Sequence, residues 1–274
     1  MLEREIEEAV RIAREAGAIL MKVYATDFGV RYKSKSDPVT EADTRANTYI
    51  VRELREWFPG DGIVAEESED RSDAMRGGRC WYVDPLDGTK EFVARNGEFA
   101  VMLGLAVDGE ARLGVVYQPV TDKLYAGVVG EGATLEQHGA RRVLRVSDVS
   151  DPSQLHLVVS RSHRNRAVGR VVAELGITEE AQTGSVGIKA GLIADRKADL
   201  YLHISDKSSA WDACGPEAVL RAAGGRFTDL AGEPYSYVRE DMRNRRGILA
   251  CNSAAYDAVL PVAKKAARAI GLLG

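Results

Sequence analysis

The sequence predicts a mixed protein, an α+β first half followed by an α/β second half, and two observations divide it. Up to about residue 145, two amphipathic helical stretches precede a run of β-branched, glycine-punctuated segments, which reads as helices on a largely antiparallel sheet. From residue 155 onward strand-like and helix-like segments alternate, the pattern of an α/β layer. The change falls at SDVSDP, 147–152, and predicts domains of 1–150 and 151–274. With 274 residues and 45% hydrophobic content, the chain can bury one large core or two modest ones.

Taken in order, Ile6, Val10, Ile12, Ala13, Ala16, Ile19 and Leu20 recur at helical spacing and predict a first helix over 1–24. This stretch has no uninterrupted apolar run, so neither a signal peptide nor a membrane span is expected. KSKSDP at 33–38 reads as a polar, turn-rich loop. Thr40-Glu41-Ala42-Asp43 opens a second helix that runs to about Phe58, with Tyr49, Ile50, Val51, Leu54 and Trp57 inward. Pro59 to Gly62 ends it, and 63–65 is a short strand leading to Glu66. After a charged loop at 69–79, Cys80-Trp81-Tyr82-Val83 is a buried strand. Strands follow at 98–107 and 113–120, with hairpins over 123–145. The second half reads as strands at 155–160, 198–202 and 247–251, and helices at 164–175, 189–195, 211–223 and 253–270.

The formal charge of -4 excludes the cationic surface that binds nucleic acid polymers without sequence preference. Cys80, Cys214 and Cys251 are an odd number at distant positions with no C-x-x-C, which predicts reduced thiols and a cytoplasmic protein.

The chemistry centres on WYVDPLDGTKEF at 81–92. Asp84 and Asp87 leave a strand end and run into Gly88 and Thr89. Two acids followed by a glycine whose amide can approach an anion suit divalent cations held beside a phosphate. The same residues also make an ordinary strand-to-turn connection with surface acids. Three more acids stand at comparable places: Asp43 at a helix start, Glu66 after a strand, and Asp212 after Trp211, where it could simply cap a helix. Glu66, Asp84, Asp87 and Asp212, with the Leu86 carbonyl between two of them, could serve two or three Mg2+ ions. No histidine belongs to the set, which disfavours zinc.

DPVTEAD at 37–43, AEES at 65–68, DPLDGT at 84–89 and WDACGPEA at 211–218 resemble, in order and spacing, the signature segments of the lithium-sensitive, Mg2+-dependent inositol monophosphatase-like phosphatases. The resemblance covers about residues 1 to 270. It implies a layered αβαβα sandwich of the sugar-phosphatase type, two or three Mg2+ ions on Glu66, Asp84, Asp87, Asp212 and the Leu86 carbonyl, and inhibition by lithium. Asp43 and Thr89, with Glu66, would position and activate the attacking water, the metal having lowered its pKa. The amides of Gly88 and Thr89 would hold phosphate oxygens. Relatives of this kind are often homodimers, although one sequence reveals no interface.

Within that group, Lys90-Glu91-Phe92, the RNGEF at 95–99, the SRSH at 160–163, and Gly184, Ser185 and Lys189 resemble the 3'(2'),5'-bisphosphate nucleotidase branch. That branch removes the 3'-phosphate of adenosine 3',5'-bisphosphate. It makes Ser160, Ser185 and Lys189 substrate-binding residues together with Gly88 and Thr89, and Lys189 and Arg161 partners for the second phosphate. One departure stands out: Tyr201-Leu202-His203 puts a conditionally charged histidine where the branch often has arginine. His203 is carried as the substrate-binding residue there, and inositol phosphates or sugar bisphosphates stand as alternative substrates.

Two rivals make contrary expectations. Haloacid-dehalogenase-type phosphatases place their two aspartates two residues apart, whereas Asp84 and Asp87 are three apart. A non-enzymatic protein that only binds a phosphorylated metabolite would be favoured by loss of a ligand or of the Thr89 and Asp43 pair, and all are present.

Overall fold

Helix α1 (Glu3–Tyr24) forms where Ala9, Ile12, Ala13, Ala16, Leu20 and Val23 return every three or four residues, and all six are buried. The structure is a computed structural model and describes residues 2–34, 37–75, 78–162 and 165–274. After α1 come a hairpin of β1 (Val30–Ser34) and β2 (Asp37–Thr40), then α2 (Glu41–Trp57). The KSKSDP stretch is therefore largely strand where a loop was expected. Tyr32 pairs with Pro38, and the residues are too polar to show the alternation that reveals a strand. Lys35 and Ser36 lie outside the described residues.

Next in the chain are β3 (Gly62–Ala65), β4 (Arg79–Asp87), the short α3 (Thr89–Val93), β5 (Ala100–Val107), β6 (Glu110–Gln118), β7 (Lys123–Val128), β8 (Gly132–Gln137) and β9 (Ala140–Leu144). These strands form one seven-stranded sheet in chain order, with β3 and β4 parallel and every later pair antiparallel. The second half supplies β10 (His156–Ser160), α4 (Arg166–Leu175), β11 (Glu179–Thr183), α5 (Val186–Ala194), β12 (Leu200–His203), α6 (Ala210–Ala222), β13 (Arg226–Thr228), β14 (Ile248–Cys251) and α7 (Tyr256–Arg268). Its five strands are ordered β11-β10-β12-β14-β13. The first three pair in parallel and the last two connections are antiparallel. Strand β11, EEAQT, gave no sequence signal because it is an edge strand with four of its five residues exposed.

Three buried clusters define five layers. Helices α1 and α2 cover one face of the large sheet through Ile12, Leu20, Ile50, Trp81 and Val101. Its other face meets α5 and α6, which also pack on the smaller sheet through Val158, Tyr201 and Ala250. Helices α4 and α7 close the far side on Leu157, Leu200 and Leu249. The order is helix, sheet, helix, sheet, helix, as the sequence resemblance implied.

Helix α6 lies unusually close to the large sheet. A Cβ on Gly114 would sit 2.0 Å from the Gly215 carbonyl oxygen, and one on Gly104 would sit 2.4 Å from the Gly215 amide nitrogen. Only backbone can meet backbone there. Gly215 is one turn beyond Asp212, so this contact sets the depth at which Asp212 is presented. Cys80, Cys214 and Cys251 are buried and unbridged. Among the described residues no helix is long and apolar enough to cross a membrane.

Candidate active site

The site begins with a bulge. In the β4 to β5 pairing Asp84 faces Met102 and Asp87 faces Ala100, so three steps on one strand match two on the other. Residues three apart in a regular strand point to opposite faces, and one extra residue brings both aspartates to the same side. Pro85 sits inside the bulge, where a missing N–H disturbs no ladder bond. Asp84 is buried, and its Oδ1 accepts from the Leu86 amide at 2.9 Å. Gly88 then turns the chain at φ +99, a left-handed conformation that favours glycine, and α3 starts at Thr89.

Asp43 and Asp212 arrive by a shared device. Each is the third residue of its helix and closes a capping box, Asp43 with Thr40 and Asp212 with Ser209. The Thr40 amide and hydroxyl donate to Asp43 Oδ2 at 2.8 and 2.7 Å. That leaves Oδ1, which accepts from Thr89 Oγ1 at 3.1 Å; the same hydroxyl lies 3.3 Å from the Leu86 carbonyl oxygen. Asp212 Oδ2 accepts from the Ser209 amide at 2.6 Å. Capping and membership of the acid cluster are thus compatible in one residue.

Asp84, Asp87 and Asp212 each offer an oxygen within 4.8 Å of the others. Glu66 lines the same cavity and is near enough to raise the pKa values of Asp84 and Asp212, but stands outside that close triplet. Burial is the largest cause holding all three aspartates above the usual carboxylate range. For Asp84 and Asp212 the neighbouring carboxylates add to it, whereas Lys189 and the Ser185 hydroxyl pull Asp87 back down. Asp43 is also raised, chiefly by burial. Three crowded carboxylates without histidine or cysteine form an all-oxygen donor set that fits a hard divalent cation such as Mg2+.

A cavity of about 620 Å³ opens over these acids. Leu86, Gly88 and Thr89 line it beside the triplet, and Ser160, Ser185, Lys189 and His203 line it from the second half. Asp43 reaches it only through Thr89. The second-half residues are more committed than their sequence suggests. Ser185 Oγ donates to Asp87 Oδ2 at 2.6 Å and accepts from the Ile188 amide, capping α5. Lys189 is buried, with Nζ donating to the Gly184 carbonyl at 3.0 Å and lying 5.0 Å from the Tyr201 ring centroid. Burial lowers its pKa to about 8 against the pull of Asp87, Glu91, Glu98 and Asp212. His203 is buried, its Nδ1 3.4 Å from the Tyr201 hydroxyl. Arg161 is tied by two nitrogens to Glu98, which also accepts from the Gly184 amide. His163, from the SRSH segment, lies outside the described residues.

Sequence reasoning missed Arg71, which lines the cavity with its guanidinium 4.5 Å from the Trp211 ring centroid. It sits in a charged loop where nothing separates it from its neighbours in sequence. Lys207, three residues ahead of α6, also lines the cavity and was missed for the same reason.

Comparison with known proteins agrees with this geometry. The model of the inositol monophosphatase family matches residues 1–268. The 3'(2'),5'-bisphosphate nucleotidase CysQ of Escherichia coli K12 is 37% identical over 245 residues, which are 87% of this chain and 96% of CysQ. Among solved structures, CysQ from Bacteroides thetaiotaomicron superposes with a TM-score of 0.77 at 31% identity, covering 91% of this chain and 97% of that one. An IMPase of Thermotoga maritima gives a TM-score of 0.83 at 25% identity, covering 98% and 100%. With its layers, its acid cluster and these matches in agreement, the chain belongs to the inositol monophosphatase family.

Proposed function

We propose that the chain is a cytoplasmic, Mg2+-dependent phosphomonoesterase that removes the 3'-phosphate of adenosine 3',5'-bisphosphate and releases AMP. Hydrolysis is supported above all by one observation: the acid triplet stands beside a Thr89 hydroxyl whose hydrogen points to Asp43 Oδ1. The choice of substrate is supported by the nucleotidases at 37% identity.

Glu66, Asp84, Asp87, Asp212 and the Leu86 carbonyl would hold two or three Mg2+ ions. Such ions, when bound, neutralise phosphate charge and make water a better nucleophile at neutral pH. The protein's own part is positioning and proton handling. Asp43 Oδ2 is pinned by Thr40, so Oδ1 can hold only one orientation of the Thr89 hydroxyl. The Thr89 oxygen keeps its lone pairs for a water proton and passes its own hydrogen to Asp43, whose raised pKa suits it as acceptor. Water oxygen bonds to phosphorus as the P–O3' bond breaks, and O3' leaves as the hydroxyl after taking a proton from solvent. Gly88 and Thr89 amides would steady the phosphate oxygens. Ser160, Lys189 and His203 would face the rest of the substrate, and Ser185 would act by fixing Asp87. Residues from both sides of position 150 line the one cavity, in keeping with a site assembled between an N-terminal and a C-terminal domain.

Phosphate release from adenosine 3',5'-bisphosphate, inositol 1-phosphate and fructose 1,6-bisphosphate tests the reading. The nucleotide should give the highest kcat/KM, and a higher value for inositol 1-phosphate would instead favour the second reading, an inositol monophosphatase, to which the fold match with Thermotoga maritima IMPase lends support. Submillimolar Li+ should inhibit. A homodimer is part of the same proposal, and light scattering would show it.

A further inference from the structure

A nucleoside bisphosphate brings a second phosphate that the acid cluster cannot neutralise, so the cavity needs a cation for it. The two residues that the sequence offered are occupied. Lys189 donates to the Gly184 carbonyl and faces Asp87, Glu91, Glu98 and Asp212, so its charge is balanced within the protein. Arg161 makes a two-pronged pair with Glu98 at 2.8 and 2.6 Å, donates to the Gln182 carbonyl at 3.1 Å, and does not line the cavity. Lys90 lines it but has an interaction of its own.

Arg71 differs from all three. Its guanidinium lies over the Trp211 ring, and Nη2 donates to the Glu66 main-chain carbonyl at 3.2 Å. Those two contacts fix the plane of the fork and leave Nε and Nη1 as donors. None of its printed partners is a carboxylate, so the charge is not spent on an ion pair. Lys207 lines the same cavity four residues before Trp211. Trp211 adjoins Asp212, which places this cationic corner next to the acids that would face the scissile phosphate.

Resting on the nucleotidase reading, we infer that Arg71, stacked on Trp211 and assisted by Lys207, anchors the non-scissile phosphate of the substrate and selects bisphosphates over monophosphates. A planar fork matches a phosphate in two places, which a lysine in the same position cannot do.

The test compares adenosine 3',5'-bisphosphate with adenosine 3'-monophosphate in wild type, Arg71→Ala, Arg71→Lys and Lys207→Ala, with thermal melts confirming that each folds. For Arg71→Ala, KM for the bisphosphate should rise roughly 10- to 100-fold, as expected for a lost charge-assisted hydrogen bond, with a much smaller change in kcat. Arg71→Lys should recover part of the loss and Lys207→Ala should show a weaker form of it. For the monophosphate, kcat/KM should change less than about threefold, because the lost contact has no counterpart there. Equal losses on both substrates, or no loss on the bisphosphate, overturn the inference while leaving the nucleotidase reading intact. A wild type that fails to hydrolyse the bisphosphate overturns that reading and this inference with it.

Discussion

Replacing Asp84 by asparagine should abolish turnover and yet stabilise the metal-free protein. Asp84, Asp87 and Asp212 present oxygens within 4.8 Å of one another. Two full charges at that separation repel by about 3.5 kcal/mol at an effective dielectric constant near 20. Asp84 belongs to two such pairs, so removing its charge relieves at most about 7 kcal/mol, and protonation within the cluster reduces this to perhaps half or less, on the order of 2–4 kcal/mol. For a chain of this size that is roughly 4–16 °C in Tm. Asparagine Oδ1 can still accept from the Leu86 amide, so the bulge keeps its internal bond. The pH dependence has a definite sign. The folded pKa values of these aspartates are raised, so the folded state holds protons that the unfolded chain has released. Their contribution is fully favourable below the unfolded carboxylate pKa, near 4, and is lost as pH rises through the folded values. The gain from Asp84→Asn should therefore be large at pH 8 and small at pH 5.5. Circular dichroism melts in EDTA at the two pH values measure it, and added Mg2+ should reverse the order by stabilising only the wild type. A variant less stable than wild type in EDTA at pH 8, or an equal gain at both pH values, would refute the electrostatic account.

The other predictions concern how the site is held. Thr89→Ala should lower kcat about 10²- to 10⁴-fold while titration calorimetry shows Mg2+ binding retained, since the hydroxyl handles a proton and its carboxylate neighbours remain. Ser185→Ala removes both an α5 cap and a donor to Asp87; a loss of about 1–3 kcal/mol in urea melts and a higher Mg2+ requirement in the activity assay are expected. Gly114→Ala forces a methyl group onto the Gly215 carbonyl and should cost about 1–3 kcal/mol or more in the same melts, with weaker Mg2+ activation because α6 carries Asp212.

How much the sequence revealed depended on what kind of information each residue carried. Helices α1 and α2 were legible because their burial follows a 3.6-residue period that any solvent-facing helix must show. Asp43, Asp84, Asp87 and Asp212 were legible because each is fixed by a local device, a capping box or a bulge, whose residues lie within a few positions in the chain. Partners across the fold were not. Lys189 reads as an ordinary helical lysine until Tyr201 and the Gly184 carbonyl enclose it, and Arg161 reads as a phosphate ligand until Glu98, 63 residues away, takes both prongs. Arg71 carried no signal at all, because stacking on Trp211 joins segments 140 positions apart by sequence number. Strands β1, β2 and β11 escaped detection for the opposite reason: their pairing is made by backbone, and polar residues leave no alternating pattern.

The acids that make the chemistry are the same groups that end the secondary structure, and this changes how such residues should be weighed. A helix cap uses one carboxylate oxygen, and a carboxylate has two. Asp43 gives Oδ2 to Thr40 and Oδ1 to Thr89; Asp212 gives Oδ2 to Ser209 while remaining within reach of Asp84 and Asp87. The cap contributes by removing freedom that the site would otherwise have to remove at each turnover. The cost is a crowded, partly protonated cluster, and it is tolerated because the positions are enforced by main chain: the bulge at Pro85, the left-handed turn at Gly88, and the backbone contact of Gly215 with Gly104 and Gly114. Side chains in the cavity can then vary with the substrate, as His203 and Arg71 do here, without disturbing the triplet that faces the phosphate to be cleaved.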